Sequence, residues 1–118
     1  MALPKFTRRL VEVALVAYCH NQILKHSRQE VKIYFKIRGD AVTLYESRPY
    51  HLDPSVWKER PVARFLFDHE SKTWSLYCVD KNSKWHPYPE AEPNLNFDDL
   101  LKAIDGDTTG IFWGWKWL

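Results

Sequence analysis

V31-K-I-Y-F-K-I-R-G39-D40-A-V-T-L-Y-E46 decides the fold. Val31, Ile33, Phe35 and Ile37 alternate with Lys32, Tyr34, Lys36 and Arg38, the period of a strand with one face buried. Gly39-Asp40 suits a two-residue hairpin loop, because glycine adopts the positive φ that primed turns require. Folding there pairs Ile37 with Val42, Phe35 with Leu44, Tyr34 with Tyr45 and Ile33 with Glu46. One face is then apolar as far as Glu46, and the other carries Lys32, Tyr34, Lys36, Thr43 and Tyr45.

Downstream, strands are expected at about 62–68 and 73–79, joined through His69-Glu70-Ser71-Lys72. That register sets Phe67 against Trp74, Phe65 against Leu76, and Arg64 against Tyr77 on the second face. A turn at Asp80–Ser83 leads to a short strand near 84–88, with Trp85 on the Cys78 side and His86 opposite Tyr77. Pro87 and Pro89 mark it as an edge strand. Residues 48–61 hold three prolines and no periodicity. They read as a long excursion, with one helical turn where Asp53 caps and Pro54 takes the first position.

The flanks are helical. From Pro4 to about Leu24 no glycine or proline interrupts, and Phe6, Leu10, Val13, Ala14, Ala17 and Leu24 form an apolar stripe at helical spacing. Asn96 caps a second helix with Asp99 at the capping-box position. Phe97, Leu100, Leu101 and Ile104 form its stripe, and Gly106 ends it. The expected fold class is α+β: N-terminal helix, five-stranded antiparallel meander, C-terminal helix, with both helices on one sheet face. At 118 residues a single domain, 1–118, is expected.

Composition narrows the function classes. Aromatic residues make up 15%, a ring surface that must serve either core or contact. The net charge of +2 is too small for a polybasic arm, although residues 1–30 sum to +3, 31–68 to +2 and 69–118 to −3. Cys19 and Cys78 lack metal-ligand spacing and read as buried thiols of a reducing compartment; a disulfide between them is the weaker reading. The longest apolar run, Val13–Val16, cannot span a membrane, which makes a cytoplasmic location the economical expectation.

Three groups could carry chemistry. The second sheet face gathers Lys32, Tyr34, Lys36, Tyr45, Arg64, Tyr77, His86 and Tyr88, a platform on which unpaired bases could stack while cations meet phosphates. The same residues also suit an anionic small ligand, a partner protein or an ordinary solvated face. Glu46 falls on the apolar face near Arg48 and Arg60. It is either one member of a structural ion pair or an acid/base catalyst beside anion-binding arginines. His51 and Asp53, with Glu59 and His86 as associates, are too few for a metal site, and none is expected. No phosphate loop or nucleophile elbow is present, no cofactor is implied, and a binding or interaction module ranks above a small hydrolase. The tail Ile111–Leu118 alternates after Gly110. It could pack Phe112 and Trp113 and could join a homodimer, as could an edge strand.

Arg48-Pro49, Asp53-Pro54, Pro61-Val62-Ala63, Lys84-Trp85-His86 with Tyr88, and Asp105, Asp107, Gly110, Phe112 and Gly114 resemble, in order and spacing, a bacterial family known as domain of unknown function 3024. The resemblance covers about residues 42–114. It implies a single small domain of bacterial origin and no known activity, cofactor or catalytic residue. It also brings the 48–61 stretch and the Lys84–Tyr88 strand forward as the motif-bearing parts.

Overall fold

A computed structural model describes residues 1–25 and 30–114. The order is α1 (Lys5–Lys25), β1 (Lys32–Arg38), β2 (Ala41–Tyr50), β3 (Asp53–Asp68), β4 (Thr73–Val79), β5 (Trp85–Pro87) and α2 (Phe97–Gly106). The strands form one antiparallel sheet in the order β1-β2-β3-β4-β5, the expected meander. Gly39, at φ 58°, closes the first hairpin with Arg38 opposite Ala41, and the pairs from Ile37–Val42 to Ile33–Glu46 stand as the alternation requires. Arg64–Tyr77, Phe65–Leu76 and Phe67–Trp74 hold likewise between β3 and β4.

Both helices lie on one sheet face. The core joins Val42, Leu44, Ala63, Phe65, Phe67, Trp74 and Leu76 of the sheet to Val11, Leu15 and Cys19 of α1 and to Phe97, Leu100, Leu101 and Ile104 of α2. Rings contact one another across it, Phe97 lying 4.7 Å from Phe65 and 5.0 Å from Trp74. Phe112 is fully buried and Trp113 packs on the core edge, its indole N–H donating to the Tyr18 hydroxyl. Asn96 caps α2 by accepting from the Asp98 amide. Asp99 does not close a capping box; its carboxylate accepts from the Asn94 side chain. Cys19 and Cys78 are both free and buried. No helix among the described residues is long and apolar enough to cross a membrane. Trp115 and Trp117 of the tail lie outside the described residues.

Three expectations are corrected. The buried side of α1 is Val11, Leu15, Cys19 and Gln22, with Ala14 and Tyr18 partly buried, whereas Phe6, Leu10, Val13, Ala17 and Leu24 are exposed. The helix carries two apolar stripes, and periodicity alone does not say which one meets the sheet.

The second correction concerns residues 48–61, which form neither a loop nor a helical turn. β2 and β3 continue as a two-stranded arm in which Arg48 faces Lys58, Pro49 faces Trp57 and Tyr50 faces Asp53. The prolines fit because β1 pairs with β2 only as far as Ser47, and β4 pairs with β3 only from Arg64 onward. Beyond those points each strand has a free edge, where a missing N–H leaves no ladder bond unmade.

The third lies at β5, where the register is offset by one: Val79 faces Trp85, Cys78 faces His86 and Tyr77 faces Pro87. The intervening turn is a residue longer than expected, closed from the Asp80 amide to the Lys84 carbonyl, with Ser83 at φ 63°. Trp85 therefore leaves the core side, and Tyr88 turns inward to 4% exposure against Phe112.

Candidate functional site

Alternation along the strands and the strand pairings set Lys32, Tyr34, Lys36, Tyr45, Arg64, Tyr77 and Trp85 on the sheet face opposite the helices. Both helices and the Phe112–Trp113 segment pack on the other side. Tyr34, Tyr45 and Tyr77 are half-buried at their bases, while Lys32 and Lys36 are exposed.

Cations and rings interleave across this face. Tyr34 and Tyr45 stack at 5.5 Å with 18° between planes. The Lys36 ammonium stands 4.8 Å from the Tyr45 centroid, Lys32 stands 4.2 Å from Trp57, and the Arg64 guanidinium lies 4.3 Å over Trp85. Arg64 also donates to the Thr43 hydroxyl, which fixes its plane. Glu59, opposite Ser47, is the acidic residue beside Lys32 on this side of the ladder. Such an array sets aromatic rings and positive charge side by side within one surface.

The remaining candidates are placed elsewhere. Glu46 is 1% exposed on the helix side, where its carboxylate accepts from Arg48 at 2.9 Å and from Arg60 Nε at 3.0 Å. Arg60 donates in addition to the Phe112 carbonyl at 2.6 Å, and the Asp107 carboxylate accepts from the amides of Phe112 and Trp113. Burial pulls the Arg60 guanidinium below its ordinary value, and the Glu46 charge opposes that shift. This ion cluster ties the arm's base to the C-terminal segment. Arg48 and Arg60 therefore do not join the lysines of the outer face.

His51 and Leu52 form the arm's two-residue tip, with the His51 ring edge-on to Tyr50. The Asp53 carboxylate accepts from the amide and hydroxyl of Ser55, and those bonds hold it below the usual carboxylate range, which suits a turn brace and makes a weak base. His86 bonds Asp80 at 2.6 Å on β5, three strands from Glu46 and so about 14 Å across the sheet. Glu46, His51 and His86 share no site. Among the described residues no three His, Cys, Asp or Glu side chains gather as metal ligands.

Sequence reasoning missed Trp57 and Trp85 as members of the outer face. No residue pattern reveals the first, because Val56, Lys58 and Arg60 on one side of the strand and Trp57, Glu59 and Pro61 on the other do not differ in polarity. The second depends on the length of the Asp80–Lys84 turn, which a pattern of residue types does not give.

A family model described as domain of unknown function (DUF3024) matches residues 3–114. The match takes in α1 and the hairpin of β1 and β2, well beyond the stretch that carries the motifs. No curated protein and no solved structure matches the chain.

Proposed function

The chain belongs to the domain of unknown function (DUF3024) family, a membership that assigns no activity, and from that premise we propose that it is a non-catalytic binding module holding single-stranded nucleic acid across the outer face of its sheet. The observation that carries this reading is the cross-strand array of Lys32, Lys36 and Arg64 among Tyr34, Tyr45, Trp57 and Trp85, on the side opposite both helices. Bases have π-faces that stack on such rings whatever their sequence, and the cations beside them meet the phosphates. Arg64 is held in plane by Thr43 and Trp85, so little side-chain entropy remains to be lost when it pairs with an anion. Two unbridged thiols suit a cytoplasmic location, where such ligands are met.

Anisotropy of a labelled mixed-sequence 12-mer tests the proposal. Replacing Tyr34 by Ala removes one stacking ring, and at about 1–3 kcal/mol per stacked base the affinity should fall roughly 5- to 150-fold. Lys36→Gln should weaken binding of all sequences alike. Full affinity retained in both folded variants would sink the assignment of this face.

A further inference from the structure

α1 carries a second apolar stripe that the core formed by the described residues does not use. Phe6, Leu10, Val13, Ala17, His20 and Leu24 follow one another at alternating steps of four and three, the spacing of a helix-pairing seam, with Val16 and Ile23 beside them. Phe6, Leu10, Val13, Val16, Ile23 and Leu24 are 38–75% exposed, while the opposite side of the same helix supplies Val11, Leu15 and Cys19 to the core. We infer that this free face of α1 is a dimer interface, at which the chain pairs antiparallel with α1 of a second copy of itself.

Area argues for a macromolecular occupant. At about 150–200 Å² for a fully exposed large side chain, these six expose on the order of 600 Å² along a helix about 30 Å long. That is at the upper end of what a monomer carries, about 300–600 Å², and approaches the roughly 800 Å² per partner of a stable interface. The balance lies next to it. A groove of about 710 Å³ runs between Leu10 and Val13 of α1 and Phe67, Trp74 and Leu95 opposite, and Leu95 is 71% exposed.

Self-complementarity selects the second copy. With the two-fold axis at the middle of the helix, Val13 meets the partner's Ala17, Leu10 the partner's His20, and Phe6 the partner's Leu24. Each contact occurs twice, as a symmetric pair requires. The small residue Ala17 near the centre allows close approach of the two helices. Charge selects the direction. α1 has no acidic residue in its first turn and carries Arg8 and Arg9 early, against its own macrodipole. Antiparallel pairing brings those arginines toward the carbonyl end of the partner helix, where Lys25 is engaged by Asp105 at 2.8 Å. The two outer sheet faces remain on opposite outsides of the pair, so this inference and the nucleic-acid reading stand or fall separately.

Light scattering on the full chain, from micromolar to several hundred micromolar, should give twice the 14.1 kDa chain mass. Val13→Glu and Leu10→Glu, both at exposed positions, should return the single-chain mass with the helical circular dichroism unchanged. Val56→Glu on the arm and truncation after Gly114 should both leave the pair intact. A single-chain mass at every concentration overturns the inference. So does a dimer that survives Val13→Glu or is lost on truncation, which would place the interface elsewhere. A monomer that sediments with anionic vesicles through this stripe overturns it in favour of a lipid surface.

Discussion

Glu46 is held by two guanidiniums in a site that water scarcely reaches, and its carboxylate pairs with both. Removing one member of a buried ionic cluster leaves the others desolvated and unpaired. Glu46→Gln should therefore lower unfolding free energy by about 3 kcal/mol in urea titration, a cost typical of a broken buried pair. A loss within about 0.5 kcal/mol, the range of ordinary surface changes, would show the cluster to be ornamental. Cys19 supplies a second check. Burial pushes its thiol from 9.0 up to about 11, and burial raises the Tyr18 hydroxyl as well. The unfolded thiol ionises first as pH rises, so its contribution is whole below pH 9 and is lost between pH 9 and about 11. Urea midpoints should fall over that interval and fall less in Cys19→Ala, and a disulfide reagent at pH 8 should find neither cysteine until the chain unfolds. Strand alternation places Glu46 on the apolar face, and nearness in sequence brings Arg48 and Arg60 to it. That the cluster also ties to the C-terminal segment was not legible, because it depends on Arg60 reaching Phe112, 52 residues away.

At the scale of elements, the pairings of β1 with β2 and of β3 with β4 were legible, because burial of one side enforces register there, whereas the register of β5 follows the length of its turn. The Val31–Glu46 hairpin is the clearest case. Pairing was not legible in the arm, where residues 51–59 are exposed and no burial selects a face. The arm has two strands and little packing, so its amides should exchange with deuterium far sooner than those of 62–67 and 74–78. Protection of 50–58 equal to the core strands would contradict its description as a free ribbon. The capping of α2 permits a smaller test: Asn96→Ala should cost about 1 kcal/mol, since the Asp98 amide loses its acceptor. In α1 the stripe from Phe6 to Leu24 was legible in the sequence, and that Val11, Leu15 and Cys19 meet the core instead follows from tertiary packing.

The whole molecule is longer than its chain length suggests, 47 × 26 × 24 Å with a radius of gyration of 14.5 Å, where about 13.5 Å is usual for 118 residues. The arm extends the sheet, the helices occupy one side, and the aromatic and cationic array occupies the other. The aromatic excess thus divides between a core of Phe65, Phe67, Trp74, Phe97 and Phe112 and a surface of Tyr34, Tyr45, Tyr77, Trp57 and Trp85. The most direct test of the surface's role is the affinity of the full chain for a labelled single-stranded 12-mer, measured against salt concentration. Contacts from Lys32, Lys36 and Arg64, with Arg38 at the strand end, give log K a slope of about −2 to −3 against log salt, reduced by about 0.7 in Lys36→Gln. Absence of binding at the lowest salt, or a slope that Lys36→Gln leaves unchanged, would contradict the account.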